Sequence, residues 1–315
     1  MSYRLALELS PPHAQDVKAV LAIDEYTLAS ASRDGGVAIW QRSDANSPFV
    51  LRGLLGGHDA YVNSLAHIGA SSLGPVIASG GNSSLILLHS MSSFDPEPNQ
   101  ALVGHSLNVC ALEYGNVAKR LISGSWDNTA RVWRESSQGW ETEHVLDAHQ
   151  QAIWGVAVVE QGPHAGSYLT ADLLIILWAA DGTVRARFKG HPEPVRALAV
   201  LSSETFASAC NDGLLRLLDF SGSTLGVMEG HTDSAFCLKA GQNHLVVSAG
   251  EDHSALARCV HPCQTVWSAD ILHGGEIVTG GSDGRVRLWS ADDKGWLEHE
   301  ELKRFEEEVA VVMNS

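Results

Sequence analysis

The chain has 315 residues, 44% hydrophobic and 18% charged, enough apolar material for a packed core and unlike a disordered or collagen-like polymer. Its 37 acidic residues outnumber 21 basic ones for a formal charge of −16, so the basic footprint of a nucleic-acid binder is missing and attraction to anionic membranes is disfavoured. No run approaches the roughly 20 apolar residues of a membrane-spanning helix and Met1-Ser2-Tyr3-Arg4 opens no signal peptide, so no membrane insertion and a cytoplasmic and nuclear location are expected.

From the N-terminus, Arg4-Leu5-Ala6-Leu7-Glu8-Leu9 alternates polar and apolar residues, the pattern of a half-buried strand. A repeat follows. Each copy has a His, then an Asp-like residue, then Trp or an apolar replacement six positions later. The His anchors are His13, His58, His105, His149, His191 and His231, and Pro262 takes that place in the seventh copy. The Asp positions are Asp34, Asn82, Asp127, Asp172, Asp212, Asp252 and Asp283; the closing positions are Trp40, Leu88, Trp133, Trp178, Leu218, Arg258 and Trp289. His-to-Asp distances of 21, 24, 22, 23, 21 and 21 residues are too regular for chance. Inside the third copy, 108–112, 120–125 and 129–133 are short runs of β-branched and small residues, with Trp126-Asp127-Asn128 at a tight turn. Ser92-Ser93-Phe94-Asp95-Pro96-Glu97-Pro98 reads as a loop between the second and third units. Two copies depart from the pattern. Only 10 residues separate Asp252 from Pro262, too few for a full outer strand, and Tyr168-Leu169-Thr170-Ala171 lacks the usual small-residue run before Asp172.

Four short strands in each 40–45 residues make a propeller blade, and the unit resembles the WD40 repeat. Gly57-His58, Gly104-His105, Gly190-His191 and Gly230-His231 match its glycine-histidine element. The expected fold is all-β: a seven-bladed WD40 β-propeller over residues 1–290, closed by the N-terminal strand, with a C-terminal helical extension or linker at 291–315. In that extension Leu302, Phe305 and Val309 fall at helical spacing. The resemblance implies that His58, His105, Asp127, Trp133, Trp178, His191, Asp212, His231, Asp252, Asp283 and Trp289 belong to structural hydrogen-bond chains rather than to a catalytic or metal site.

Several stretches resemble, more narrowly, the N-terminal propeller of the phospholipase-A-activating protein (PLAA) family, ubiquitin-binding cofactors of an AAA+ unfoldase. They are Leu121-Ile122-Ser123-Gly124-Ser125-Trp126-Asp127, Ala152-Ile153-Trp154, Gly190-His191 with Val195-Arg196-Ala197-Leu198, and the Glu-rich 300–308. The resemblance implies a ubiquitin-binding ring acting in ubiquitin-dependent degradation or sorting. It also implies that the unfoldase is reached only through domains outside this chain, and the ring is expected to be a monomer.

In WD40 rings the residues three and five after the His, and the one before the Asp, point to the partner-binding face. They supply Asp16, Lys18, Arg33, Tyr61, Asn63, Asn108, Trp126, Trp154, Arg196, Phe236, Glu251 and Trp267 as candidate ubiquitin- or partner-binding residues. Exposed aromatics beside charges are the usual composition of interaction hot spots. Asp16 and Glu251 are expected to form an acidic rim for ubiquitin's basic surroundings, with Trp154 as an apolar anchor. Trp154 and Trp267 have a plainer reading as plugs of the central channel. The alternative function is a scaffold or peptide reader using the same face.

No G-x-S-x-G, P-loop or H-E-x-x-H occurs, so no catalytic residues and no enzyme activity are expected. Cys110, Cys210, Cys237, Cys259 and Cys263 contain no C-x-x-C pair, and neither a disulfide framework nor a metal or other cofactor is expected.

Overall fold

The computed structural model describes residues 3–241, 245–255, 259–292, 303–305 and 307–309. Their strands form seven four-stranded antiparallel sheets, each meandering from an inner to an outer strand. The first blade, for instance, runs Val17–Ala22, Thr27–Ser32, Val37–Gln41, Val50–Leu55. The seventh has only three strands of its own, Val266–Ile271, Ile277–Gly281 and Val286–Ser290, and Arg4–Glu8 pairs with the last as its fourth. Glu8 fixes this closure through Arg287 Nε at 2.7 Å and through Arg285.

Second strands are built from small residues because a neighbouring blade presses on them. A methyl group on Gly80, Gly124 or Gly280 would meet Val109, Ile153 or Val17 of the next blade at 2.7, 2.8 and 2.6 Å. The core lies between blades. Ile68, Val76, Leu88 and Leu102 of the second pack with Val109, Leu112, Leu121 and Trp133 of the third, and similar clusters recur around the ring. No helix among the described residues is long and apolar enough to cross a membrane.

Four sequence expectations need correction. In the second blade, Ser83 rather than Asn82 faces His58, at 3.1 Å from Nδ1. The Trp slot there is filled by His89, not Leu88, because Ser79 pairs with Leu87 as Ser123 pairs with Arg131, two residues before Trp133. The seventh histidine is His261, fully buried against Trp289 with ring centroids 4.9 Å apart; Pro262 follows it, and one extra residue separates it from Thr265. Residues 92–98 lie within the second blade, before its outer strand Gln100–Leu102.

The sixth blade is short rather than incomplete, its outer strands being the two-residue Ser254–Ala255 and Cys259–Val260. Arg258, expected to close that blade, lies outside the described residues, as does Leu302 of the tail. Phe305 and Val309 join the cluster between blades six and seven, Phe305 edge-on to Trp289 at 5.8 Å.

Candidate functional site

The histidine networks set the loops that carry the face. In the third blade Trp133 Nε1 lies 2.8 Å from Ser123 Oγ, His105 Nε2 lies 2.7 Å from the same oxygen, and His105 Nδ1 lies 2.8 Å from Asp127. An indole N–H only donates, so the hydroxyl accepts it and gives its own proton to Nε2, leaving Nδ1–H to donate to the carboxylate. Burial lowers the His105 pKa despite Asp127. Burial also works against the Asp127 charge, but hydrogen bonds from Thr129, Ser106 and His105 bring its pKa down to about 2. The same chain stands in the first blade as Trp40, Ser30, His13 and Asp34.

In the fourth blade Thr170 replaces the serine and sits two residues before Asp172 instead of four. The turn is shorter, yet His149 Nδ1 still reaches Asp172 at 2.9 Å. His231 contacts Ser248 and Asp252 in the sixth. The fifth and seventh blades differ in chemistry. Arg216 sits between His191 and Asp212, and Arg287 between His261 and Asp283. A guanidinium only donates, so His191 Nδ1 accepts and its tautomer is the reverse of that in the third blade.

Each network anchors the turn before the first strand, and in six blades the turn after the second strand is clipped to it by one backbone bond, reversed in the fourth as Trp154 N–H to the Ala171 carbonyl. The six run from N–H to carbonyl: Arg33 to Asp16, Asn82 to Tyr61, Trp126 to Asn108, Asn211 to Pro194, Glu251 to Ser234 and Ser282 to Thr265. The clipped residues surround one end of the channel. Ten of the twelve candidate residues line a funnel of about 300 Å³ there: Lys18, Arg33, Tyr61, Asn63, Asn108, Trp126, Trp154, Arg196, Phe236 and Trp267. Asp16 stands behind it, accepting from Trp267 Nε1 at 2.9 Å and paired with Arg33 at 3.1 Å. Glu251 is exposed beside it.

The funnel wall alternates aromatic rings and cations. Phe236 stacks on Trp267 with centroids 4.9 Å apart, and Trp126 meets Trp154 edge-on at 5.4 Å. Arg196 lies between Trp154 and Phe236, 3.8 and 4.9 Å from their centres, while Lys18 Nζ sits 2.8 Å from the centre of Trp267. Arg33 approaches both Tyr61 and Trp267. Tyr61 and Trp126, each 43% exposed, stand at the lip, whereas Trp154 and Trp267 are partly buried in the wall. Burial, with repulsion from Arg33 and Arg196, pulls Lys18 down to about 6 against the pull of Asp16. Burial likewise lowers Arg196 to about 10. Asn63 donates to Asn108 at 2.8 Å and to Asn82 at 3.2 Å.

The centre of the face is therefore cationic and aromatic, and the carboxylates sit behind or beside it. Asn82 is a funnel residue that the repeat count had placed in the network. The missed signal is the four-residue step from network hydroxyl to Asp, constant in Ser30–Asp34, Ser123–Asp127, Ser208–Asp212, Ser248–Asp252 and Thr279–Asp283. Applied to Ser79, it selects Ser83. Among the described residues no group of three or more His, Cys, Asp or Glu could hold a metal ion.

Comparison with known proteins places this ring. The WD domain, G-beta repeat, matches residues 96–134, 182–219 and 257–290. Ubiquitin homeostasis protein lub1 of Schizosaccharomyces pombe is 33% identical over 330 residues, covering 98% of this chain and 42% of that protein. Protein DOA1 of Saccharomyces cerevisiae is 32% identical over 241 residues, covering 76% of this chain and 32% of that protein. The chain thus spans less than half the length of these curated relatives. The crystal structure of the WD40 beta propeller domain of Doa1 superposes with a TM-score of 0.83 at 32% identity, over 94% of this chain and 99% of that one. By fold, coverage and identity, the chain belongs to the Doa1/PLAA family and corresponds to that family's N-terminal WD40 propeller.

Proposed function

We propose that the ring binds ubiquitin, free or conjugated, through the funnel face, as a non-catalytic module of ubiquitin-dependent degradation or sorting. The observation that carries this reading is the aromatic lip of Tyr61 and Trp126 over Trp154, in a chain whose relatives are named for ubiquitin homeostasis and ubiquitin fusion degradation. A lip of partly exposed rings suits a compact aliphatic patch, each buried anchor contributing about 2 kcal/mol. Asp16 enters as a positioning residue, since it orders both Trp267 and Arg33. Any contact with an AAA+ unfoldase is left to segments other than this ring.

Isotope-labelled ubiquitin titrated with the purified chain and followed by NMR tests the proposal. Shifts in ubiquitin's aliphatic patch are expected, weakened at least tenfold by Trp154→Ala and by Asp16→Arg in folded variants. No shift at millimolar ring, or full binding by the double variant, would remove ubiquitin from this face.

A further inference from the structure

Lys18 and Arg196 are two basic side chains inside one funnel, and among the described residues neither has a carboxylate within ion-pair distance; Lys18, with its folded value near 6, takes up its proton when a carboxylate arrives. Arg33, the third cation of the funnel, is already neutralised by Asp16 at 3.1 Å. The pair lies in a chain with 37 acidic residues, yet among the described residues the nearby Asp16 and Glu251 form no ion pair with either member. Removing a cation from water is costly, and a ring face offsets only part of that cost. Arg196 has aromatic rings on either side of its guanidinium, which leaves the N–H edge as its free donor surface.

We infer that the funnel is a receptor for one carboxylate, inserted between Lys18 and Arg196 by an acidic side chain of a protein or peptide partner. The guanidinium edge offers paired N–H donors to the planar group, and Lys18, protonated from solvent as the carboxylate enters, meets it from across the channel mouth. A monoanion fits better than a dianionic phosphate. Asp16 borders Lys18 and Glu251 lies close enough to act on Arg196, so a second negative charge would meet repulsion in an aromatic-walled site. This assignment concerns the centre of the face, and holds whichever protein covers the lip.

The test uses the chain as it stands and needs no ubiquitin. Intrinsic fluorescence, to which Trp126, Trp154 and Trp267 in the funnel contribute, is followed while adding an acetylated, amidated Gly-Gly-Glu-Gly-Gly peptide. The Gln counterpart and inorganic phosphate are run at matched ionic strength. Saturable binding of the Glu peptide is expected, at least tenfold tighter than the Gln peptide and tighter than phosphate. Arg196→Gln removes a buried charge and Lys18→Gln a buried amine, so both should fold, as checked by circular dichroism; each is expected to weaken the Glu peptide at least tenfold. Lys189→Gln, an exposed change elsewhere, should leave it unchanged. Equal binding of Glu and Gln peptides, no binding at tens of millimolar, or unchanged binding by folded Arg196→Gln would overturn the inference. Phosphate binding more tightly than the Glu peptide would replace it with a phosphate site. Because the readout is a peptide, its failure leaves the ubiquitin titration standing, and the reverse also holds.

Discussion

Ser123 accepts the Trp133 indole N–H and gives its proton to His105, so one hydroxyl satisfies two buried groups. Ser208 has a smaller task, because Leu218 stands where the indole would be and only His191 needs it. Ser123→Ala is therefore expected to cost about 2–3 kcal/mol and Ser208→Ala about 1 kcal/mol. Urea unfolding of the two variants measures this, and equal losses would show that the indole draws nothing from the network. At this scale the sequence was most legible where a network is complete, as with His105, Asp127 and Trp133. It was least legible where substitution preserves the bond but changes the residue type. Ser83 can replace an Asp because the Nδ1–H it receives needs only one lone pair, and nothing in residue type reveals that. The cationic centre of the face was hidden for a related reason. Asp16 and Lys18 are two residues apart, but which of them faces the funnel depends on the pairing of Asp16 with Trp267 from the far end of the chain.

The N-terminal strand is an element whose value lies in its partner. Arg4–Glu8 completes the seventh blade, and Glu8 is the acid that reaches Arg287 from this strand. The Arg287 side chain is fully buried, with Asp283 as its other carboxylate partner. Glu8→Ala is expected to destabilise the ring by about 2 kcal/mol, since half the compensation of a buried cation is lost. Arg285→Ala removes a partner that is 40% exposed, and should cost under about 1 kcal/mol. The ratio of the two, read from urea midpoints, separates a closing clasp from ordinary surface charge. Alternation within 4–9 sufficed to read this strand, and the resemblance to WD40 rings supplied its place. The end of the sixth blade was harder: ten residues between Asp252 and Pro262 showed that something was short, but not that two two-residue strands fit there. Nor did they show that Phe305 packs beside Trp289 in the cluster of that region, a contact between segments distant in sequence.

The histidines and Lys18, whose pKa values burial lowers, bias stability in one direction. His58 and His191 are each pulled from 6.5 to about 4 by burial, with repulsion from His89 and Arg216 respectively. Between those values the unfolded chain binds more protons than the folded one, so protonation favours unfolding. Their contribution is whole above pH 6.5 and is lost as pH falls toward 4, on the order of 2 kcal/mol for each after allowing for partial exposure. His13 and His105 shift in the same direction. Asp127, held at about 2, adds a further loss only below its unfolded value of 3.8. Lys18 acts at the other end: with a folded value near 6 against 10.5 unfolded, it makes stability rise with pH throughout that interval. Unfolding free energy measured in urea is thus expected to fall by several kcal/mol from pH 7 to pH 4, and to rise between pH 7 and pH 9. Lys18→Met should raise stability at pH 7 by about 1–2 kcal/mol and flatten the alkaline limb while leaving the acid limb intact. A wild-type profile flat between pH 6.5 and 4 would mean that the histidines take up protons in the folded ring as readily as in the unfolded chain, and that burial does not lower their pKa values.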